Sequence, residues 1–251
     1  MAGLLAGRTA LVTGASRGLG RGIAELYAAE GAAVCLVDLK EQWALAVVDD
    51  IVARGGRGLA VGADVSDRAA VQCAIARTVD ELGQLDIVVN NAMWNRYEPL
   101  AAIEPETVDR MLGVGFCGIV WTMQAAAAAM AKRGGSIINI ASVSGEMGIA
   151  NALIYCGVKA AVGGLTRSAS VELGPMHIRV NAIAPSTIAT EGVRAMLSDD
   201  AINDRMARTP LNRLGRIDDI AQAALWLASD HSSFVTGQTI KVDGGLAHAF
   251  M

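Results

Sequence analysis

A chain of 251 residues is sized for one α/β unit, here residues 1–251, and 53% hydrophobic against 18% charged residues leaves ample apolar material for a large core. The formal net charge of −4, with no basic run longer than Lys132-Arg133, excludes the clustered positive surface that phosphate-backbone binding needs, so nucleic acid is not an expected partner. Cys35, Cys73, Cys117 and Cys156 show no C-x-x-C spacing, which argues against a metal site or a disulfide framework and suits a reducing cytoplasm.

In chain order, short β-branched runs alternate with longer helical patterns. Strands are expected at 9–13, 33–38, 58–63, 85–90, 136–141, 179–183 and 239–242, and helices at 18–30, 42–53, 68–82, 105–132, 153–173 and 217–228. Several strands are almost continuously apolar, as strands buried on both faces are, so the pattern predicts a parallel seven-stranded sheet with helices on both sides. One long insertion, 191–214, follows the sixth strand and is the expected substrate lid. Residues 1–7 carry no signal pattern, and the most apolar stretch, 119–131, is shorter than the roughly 18 residues of a membrane span. A cytoplasmic protein without membrane contact is expected.

The first strand runs directly into Thr13-Gly14-Ala15-Ser16-Arg17-Gly18-Leu19-Gly20, where a helix begins. Gly14 suits the tight turn off the strand, Gly18 a close backbone approach to a pyrophosphate, and Gly20 close packing of helix on sheet. Free N–H groups at the start of that helix would face the phosphates. Asp38 ends the second strand, twenty positions after Gly18. A carboxylate there accepts from ribose hydroxyls and repels a 2′-phosphate, which points to NAD, while the basic Arg17 and Lys40 keep NADP in play. Asp64, before Val65, is placed either to bond the adenine or to cap the helix that follows with Ser66 and Asp67.

Tyr155 and Lys159 are spaced i, i+4 and share a helix face. A free phenol titrates near pH 10, and about three units of lowering require roughly 4 kcal/mol of differential stabilisation, which a nearby ammonium and an oxidised nicotinamide could supply together. Ser142 follows the apolar strand 136–141 and can hold a substrate oxygen beside the tyrosine; Ser144 is the competing hydroxyl.

Thr13 to Gly20, Asn90-Asn91-Ala92, Ser142, Tyr155-x-x-x-Lys159, Asn181-Ala182-Ile183-Ala184-Pro185 and Val242-Asp243-Gly244-Gly245 together resemble the short-chain dehydrogenase/reductase family over essentially the whole chain. The resemblance implies a single Rossmann-type, doubly wound domain transferring hydride between a nicotinamide cofactor and a secondary alcohol or ketone. It makes Tyr155 the general acid/base, with Lys159 lowering its pKa and binding the nicotinamide ribose, and Ser142 orienting the substrate. It puts Asn91 and Ala92 along the cofactor channel, with Pro185, Ile188 and Thr190 at the nicotinamide end. It also implies a homotetramer assembled through the helices at 105–132 and 153–173, to whose close contacts Gly113, Gly115 and Gly118 are suited.

The chain departs from the family pattern in three places. Met93 stands where glycine usually follows Asn-Asn-Ala, Ser186 replaces the glycine after Pro185, and Gly115 occupies the slot of an asparagine that supports a proton-relay water. A glycine at 115 can leave room for a water, so a modified relay is expected. Met93, Trp94, Ser144, Met147, Ile149 and Leu153 are the expected pocket residues, with Tyr97 nearby; mostly apolar, they favour a neutral hydrophobic substrate. Arg96, Arg194, Arg205 and Arg208 are either surface residues or contacts for an anion. The leading reading is an NAD-linked alcohol dehydrogenase or ketoreductase. The alternatives are an NADPH-linked 3-oxoacyl-thioester reductase, for which Lys132-Arg133 is the one basic rim, and a cofactor-binding subunit impaired at Gly115.

Overall fold

The structure, a computed structural model, describes residues 3–249. Seven strands form one parallel sheet: β1 (Thr9–Thr13), β2 (Ala33–Asp38), β3 (Arg57–Gly62), β4 (Ile87–Asn90), β5 (Gly135–Ile140), β6 (Ile178–Pro185) and β7 (Thr239–Val242). Their order across the sheet is β3-β2-β1-β4-β5-β6-β7. The helices are α1 (Gly18–Ala29), α2 (Glu41–Ala53), α3 (Arg68–Leu82), α4 (Pro105–Leu112), α5 (Gly118–Met130), α6 (Leu153–Leu173), α7 (Glu191–Met196), α8 (Asp199–Arg208) and α9 (Ile217–Ala228).

Alternation along each strand divides the apolar side chains between two cores. Ala10 and Val12 of β1 face one way, with Ile23 and Tyr27 of α1, Val47 of α2 and Ala224 and Leu227 of α9. Leu11 faces the other way, with Ile75 of α3, Met123 and Ala126 of α5 and Val162 of α6. A strand covered on both faces has no polar side to show, and this is why β1 and β4 are buried along their whole length.

Strand order reverses between β1 and β4, which pair in register from Ala10 opposite Ile87 to Val12 opposite Val89. The crevice beyond their carboxyl ends is the place where such sheets bind ligands. Thr13 ties its two walls together: its hydroxyl donates to the Val89 carbonyl at 3.3 Å and accepts from the amides of Asn91 and Ala92, each at 3.0 Å.

Element ends differ from expectation where side chains capture backbone groups. β4 starts at Ile87 and not at 85, because the Asp86 carboxylate accepts the Thr9 amide at 2.8 Å. The helix expected over 105–132 is interrupted by a π-helical turn, Gly113–Cys117, between α4 and α5. Taken as one body, Pro105–Met130 is long enough for a membrane span and contains an 18-residue window of mean hydropathy 1.5, longer than the sequence reading allowed; here it packs on α3 and beside α6. Segment 191–214 holds α7 and α8.

Candidate active site

The turn from β1 into α1 bends through Gly14, at φ +64°, and Gly18, at φ +56°, a backbone region costly for side chains other than glycine's. A Cβ on Gly14 would sit 2.9 Å from the Ala92 Cα, whereas one on Gly20 would collide with the Gly14 carbonyl and the Asn91 amide. Beside Gly18 the space is open, with the Thr190 methyl 3.9 Å from a Cβ placed there. Arg17 occupies the N-cap of α1 without a side-chain cap, so the first amides of the helix are left for an anion. Asn91 holds the turn from the β4 side, donating from Nδ2 to the carbonyls of Thr13 (2.9 Å) and Gly14 (3.0 Å).

Asp38 lies at the end of β2 beside this turn. Its Oδ2 accepts the Ser16 amide at 3.0 Å and its Oδ1 the Leu39 amide at 2.8 Å, which fixes the carboxylate and leaves lone pairs free on both oxygens. Lys40 places its ammonium over the Trp43 ring, 5.2 Å from the centroid. A glycine turn open at Gly18, an uncapped helix start and an adjacent acceptor fit the pyrophosphate and ribose of a dinucleotide. Asp64 is exposed and accepts from both the amide and the hydroxyl of Ser66, while Asp67 caps α3. Val65 is buried, its side chain and carbonyl against Gly118, so it belongs to the core behind the crevice.

The second half of the site lies at the carboxyl ends of β5 and β6. Ser142 caps a short 3-10 turn, Val143–Gly145; its hydroxyl accepts the Ser144 amide at 3.1 Å and donates to the Ser144 Oγ at 3.0 Å. Ser144 is itself buried, so of the two hydroxyls Ser142 is the one beside Tyr155, whose ionised form it favours. Pro185 offers its carbonyl to Ser142 at 3.5 Å. Ile188 is buried and bridges to Gly215, and Thr190 caps α7 by accepting the Val193 amide.

Tyr155 and Lys159 leave the same face of α6. The Lys159 ammonium lies 5.9 Å from the centre of the Tyr155 ring and donates to the Ile140 carbonyl at 2.6 Å. Burial brings Lys159 down to about 8 and pushes Tyr155 up to about 12. Burial disfavours the phenolate, and the lowering expected of the ammonium and an oxidised nicotinamide together concerns the cofactor-bound site.

The expected pocket residues separate into groups. Tyr97 stacks edge-on against Tyr155, and Tyr97, Ile149 and Leu153 are exposed around the cleft, while Met147 accepts a weak hydrogen bond from the Cys156 thiol on its carbonyl. Trp94 lies between the guanidinium groups of Arg110 (4.4 Å) and Arg96 (5.3 Å). Met93 does not line the cleft alone: its sulfur packs over Gly115, in the space a water was expected to fill. Gly113 and Gly118 meet Ser66 and Val65 of the same chain, so intrachain packing accounts for both. Arg208 pairs with Asp204, and Arg205 donates to the Ala201 carbonyl of its own helix. The tie made by the Thr13 hydroxyl was not foreseen; a threonine at the carboxyl end of the strand, after three apolar residues, was its signal.

This is the constellation of a nicotinamide-dependent oxidoreductase: an uncapped helix start at the switch point, and a serine, a tyrosine and a lysine converging beyond β5. The chain belongs to the short-chain dehydrogenase/reductase family. A family model described as enoyl-(acyl carrier protein) reductase matches residues 14–247. The chain is similar to a sorbitol dehydrogenase of Cereibacter sphaeroides, at 39% identity over 96% of this chain and 98% of that one. It is similar to a 3-oxoacyl-(acyl-carrier-protein) reductase of Staphylococcus aureus, at 40% identity over 95% and 98%. Among solved structures, a gluconate 5-dehydrogenase of Burkholderia cenocepacia in complex with NADP and tartrate superposes with a TM-score of 0.94, at 36% identity over 98% of this chain and 97% of that one. The protein is an oxidoreductase that uses a nicotinamide cofactor and acts on the CH–OH group of a small molecule.

Proposed function

We propose that this chain is an NAD-linked dehydrogenase or ketoreductase for a neutral, largely apolar secondary alcohol or ketone. The observation that carries the cofactor choice is Asp38, whose carboxylate is held beside the glycine turn by the amides of Ser16 and Leu39. A fixed negative charge there opposes a 2′-phosphate and accepts from a ribose hydroxyl. Lys40, the basic residue nearest in sequence, is engaged by Trp43. The exposed rings and alkyl groups of Tyr97, Ile149 and Leu153 support an apolar substrate.

When bound, the nicotinamide donates or accepts the hydride. Ser142 holds the substrate oxygen, and Tyr155 gives that oxygen a proton in reduction or takes one in oxidation. With its phenol pushed up to about 12, Tyr155 carries its proton at neutral pH and is ready as the acid. Lys159, at about 8, can release and regain a proton near neutrality and so resupply the site. Association as a homotetramer through α4, α5 and α6 belongs to the same reading, supported by the exposed Val171 on α6, and sedimentation tests it.

A second reading, an NADPH-linked 3-oxoacyl-thioester reductase, is favoured by the Staphylococcus aureus relative. Its expected basic rim does not serve it: Lys132 and Arg133 precede β5, at the end of the strand opposite Ser142, and Arg133 reaches Asp86 at 3.8 Å. The test is NADH and NADPH binding by fluorescence, followed by turnover of aliphatic ketones, sorbitol, gluconate and acetoacetyl-coenzyme A. Preference for NADH with ketone turnover supports the first reading. NADPH with the thioester supports the second, and binding without turnover returns the protein to an impaired subunit.

A further inference from the structure

Gly115 is buried in the π-helical turn between α4 and α5. A Cβ built on it would lie 2.6 Å from the Met93 sulfur, 3.2 Å from the Met93 methyl and 2.6 Å from a methyl of Val158. Two elements thus close on this one position: the segment that leaves β4, through Met93, and α6, through Val158. Neither a side chain nor a water fits at that point, since both neighbours are inside van der Waals contact. Val158 immediately precedes Lys159, whose ammonium makes its one side-chain hydrogen bond among the described residues to the Ile140 carbonyl. Where the ammonium points is therefore set by where α6 rests. π turns are rare and persist where surrounding contacts hold them.

We propose that Met93 is a positioning residue for Lys159: its thioether takes the place of a side chain at position 115 and wedges the π turn against α6 at Val158. The two departures from the family pattern are then one feature, a long side chain after Asn-Asn-Ala matched by an absent one on the helix. This rests on the reading of Lys159 as part of the catalytic group.

The test is a double-mutant cycle of Met93→Ala and Gly115→Ala, followed by thermal midpoint, NADH binding, and kcat and KM for the ketone turned over fastest. Met93→Ala is expected to lower kcat about tenfold, with KM and the NADH dissociation constant moving less than about twofold, because a displaced lysine harms the chemical step more than binding. Gly115→Ala alone is expected to lower the midpoint and kcat. In the Met93→Ala background the added methyl fills vacated space, and kcat should rise above that of Met93→Ala. An unchanged kcat in Met93→Ala overturns the proposal. So does a Gly115→Ala penalty of equal size in both backgrounds, which would mean that Val158 alone sets the fit. If the wild type turns over no alcohol or ketone, the functional reading fails separately, and hydrogen exchange decides the wedge. Amides of 113–118 and 156–160 should exchange faster in Met93→Ala and recover in the double variant; equal exchange in all four proteins overturns it.

Discussion

Tyr97 meets Tyr155 edge-on, with ring centroids 5.7 Å apart and planes inclined at 66°. The contact covers the phenol to which the proposed chemistry assigns the proton, and burial is the leading reason Tyr155 is pushed up to about 12. Tyr97→Ala should let water reach the ring, which favours the phenolate and brings Tyr155 down toward the ordinary value of about 10. The chain has only three tyrosines, and burial drives Tyr27 far upward, so the first tyrosinate absorbance step in the variant reports Tyr155. A first step that stays near 12 in the variant would show that Tyr97 does not control the solvation of the phenol.

Tyr155→Phe removes the proposed acid while keeping the ring that packs on Tyr97. Turnover should fall about a hundred- to ten-thousand-fold, the usual worth of a positioned acid. NADH binding should persist, since the glycine turn and Asp38 are untouched. Retention of full turnover would transfer the role to another group.

Asp38→Ala combined with Leu39→Arg should invert the cofactor preference. The first change removes the charge proposed to oppose a 2′-phosphate, and the second adds a partner for one at an exposed position. The amides of Ser16 and Leu39 lose their acceptor, so both cofactors should bind more weakly than in wild type. The ratio of NADPH to NADH affinity should nevertheless rise by about tenfold or more, measured by fluorescence titration at fixed salt. An unchanged ratio would remove Asp38 from the discriminating role.

Much of this architecture is legible in the chain because its strands are apolar on both faces. Thr9–Thr13, Ala33–Asp38 and Thr239–Val242 have the ends read from sequence, as do the helices Arg68–Leu82, Leu153–Leu173 and Ile217–Ala228. The reading is less sharp where a side chain far away in sequence decides the outcome. Asp86 ends a turn by capturing Thr9, seventy-seven positions away, and no local pattern announces that. The reversal at Met93 and Gly115 has the same origin. Sequence shows a large residue in one unusual slot and a missing side chain in another; only the packing shows that one fills the space of the other. Lys132 and Arg133 read as a basic pair, but a strand's direction decides which end of the sheet carries a charge. Spacing reveals the ammonium near Tyr155, whereas the desolvation that pushes the phenol up arises from packing that no local pattern announces.

The stem that returns from the 191–214 segment is fastened by Asp219 on the first turn of α9. Its Oδ2 accepts from the Arg213 guanidinium at 2.6 Å and from the Arg216 amide at 2.7 Å, and its Oδ1 accepts from the same guanidinium at 2.9 Å. The Arg213 fork is the leading reason the carboxyl sits at about 2, below its usual 3.8. A carboxyl lowered on folding stabilises the native state in full above its unfolded pKa, near 4, and loses that contribution as pH falls toward 2. Asp219→Asn should therefore lower the thermal midpoint at pH 7 by roughly 2–4 °C, modest because the pair is partly exposed to solvent. The gap between variant and wild type should close as pH falls from 4 toward 2, where wild type also carries a neutral group. Melts followed by circular dichroism across pH 2–7 measure it. A gap that stays constant over that range would mean that the charge contributes nothing, and that the loss comes instead from the hydrogen bonds to Arg213 and Arg216 that the amide nitrogen cannot accept.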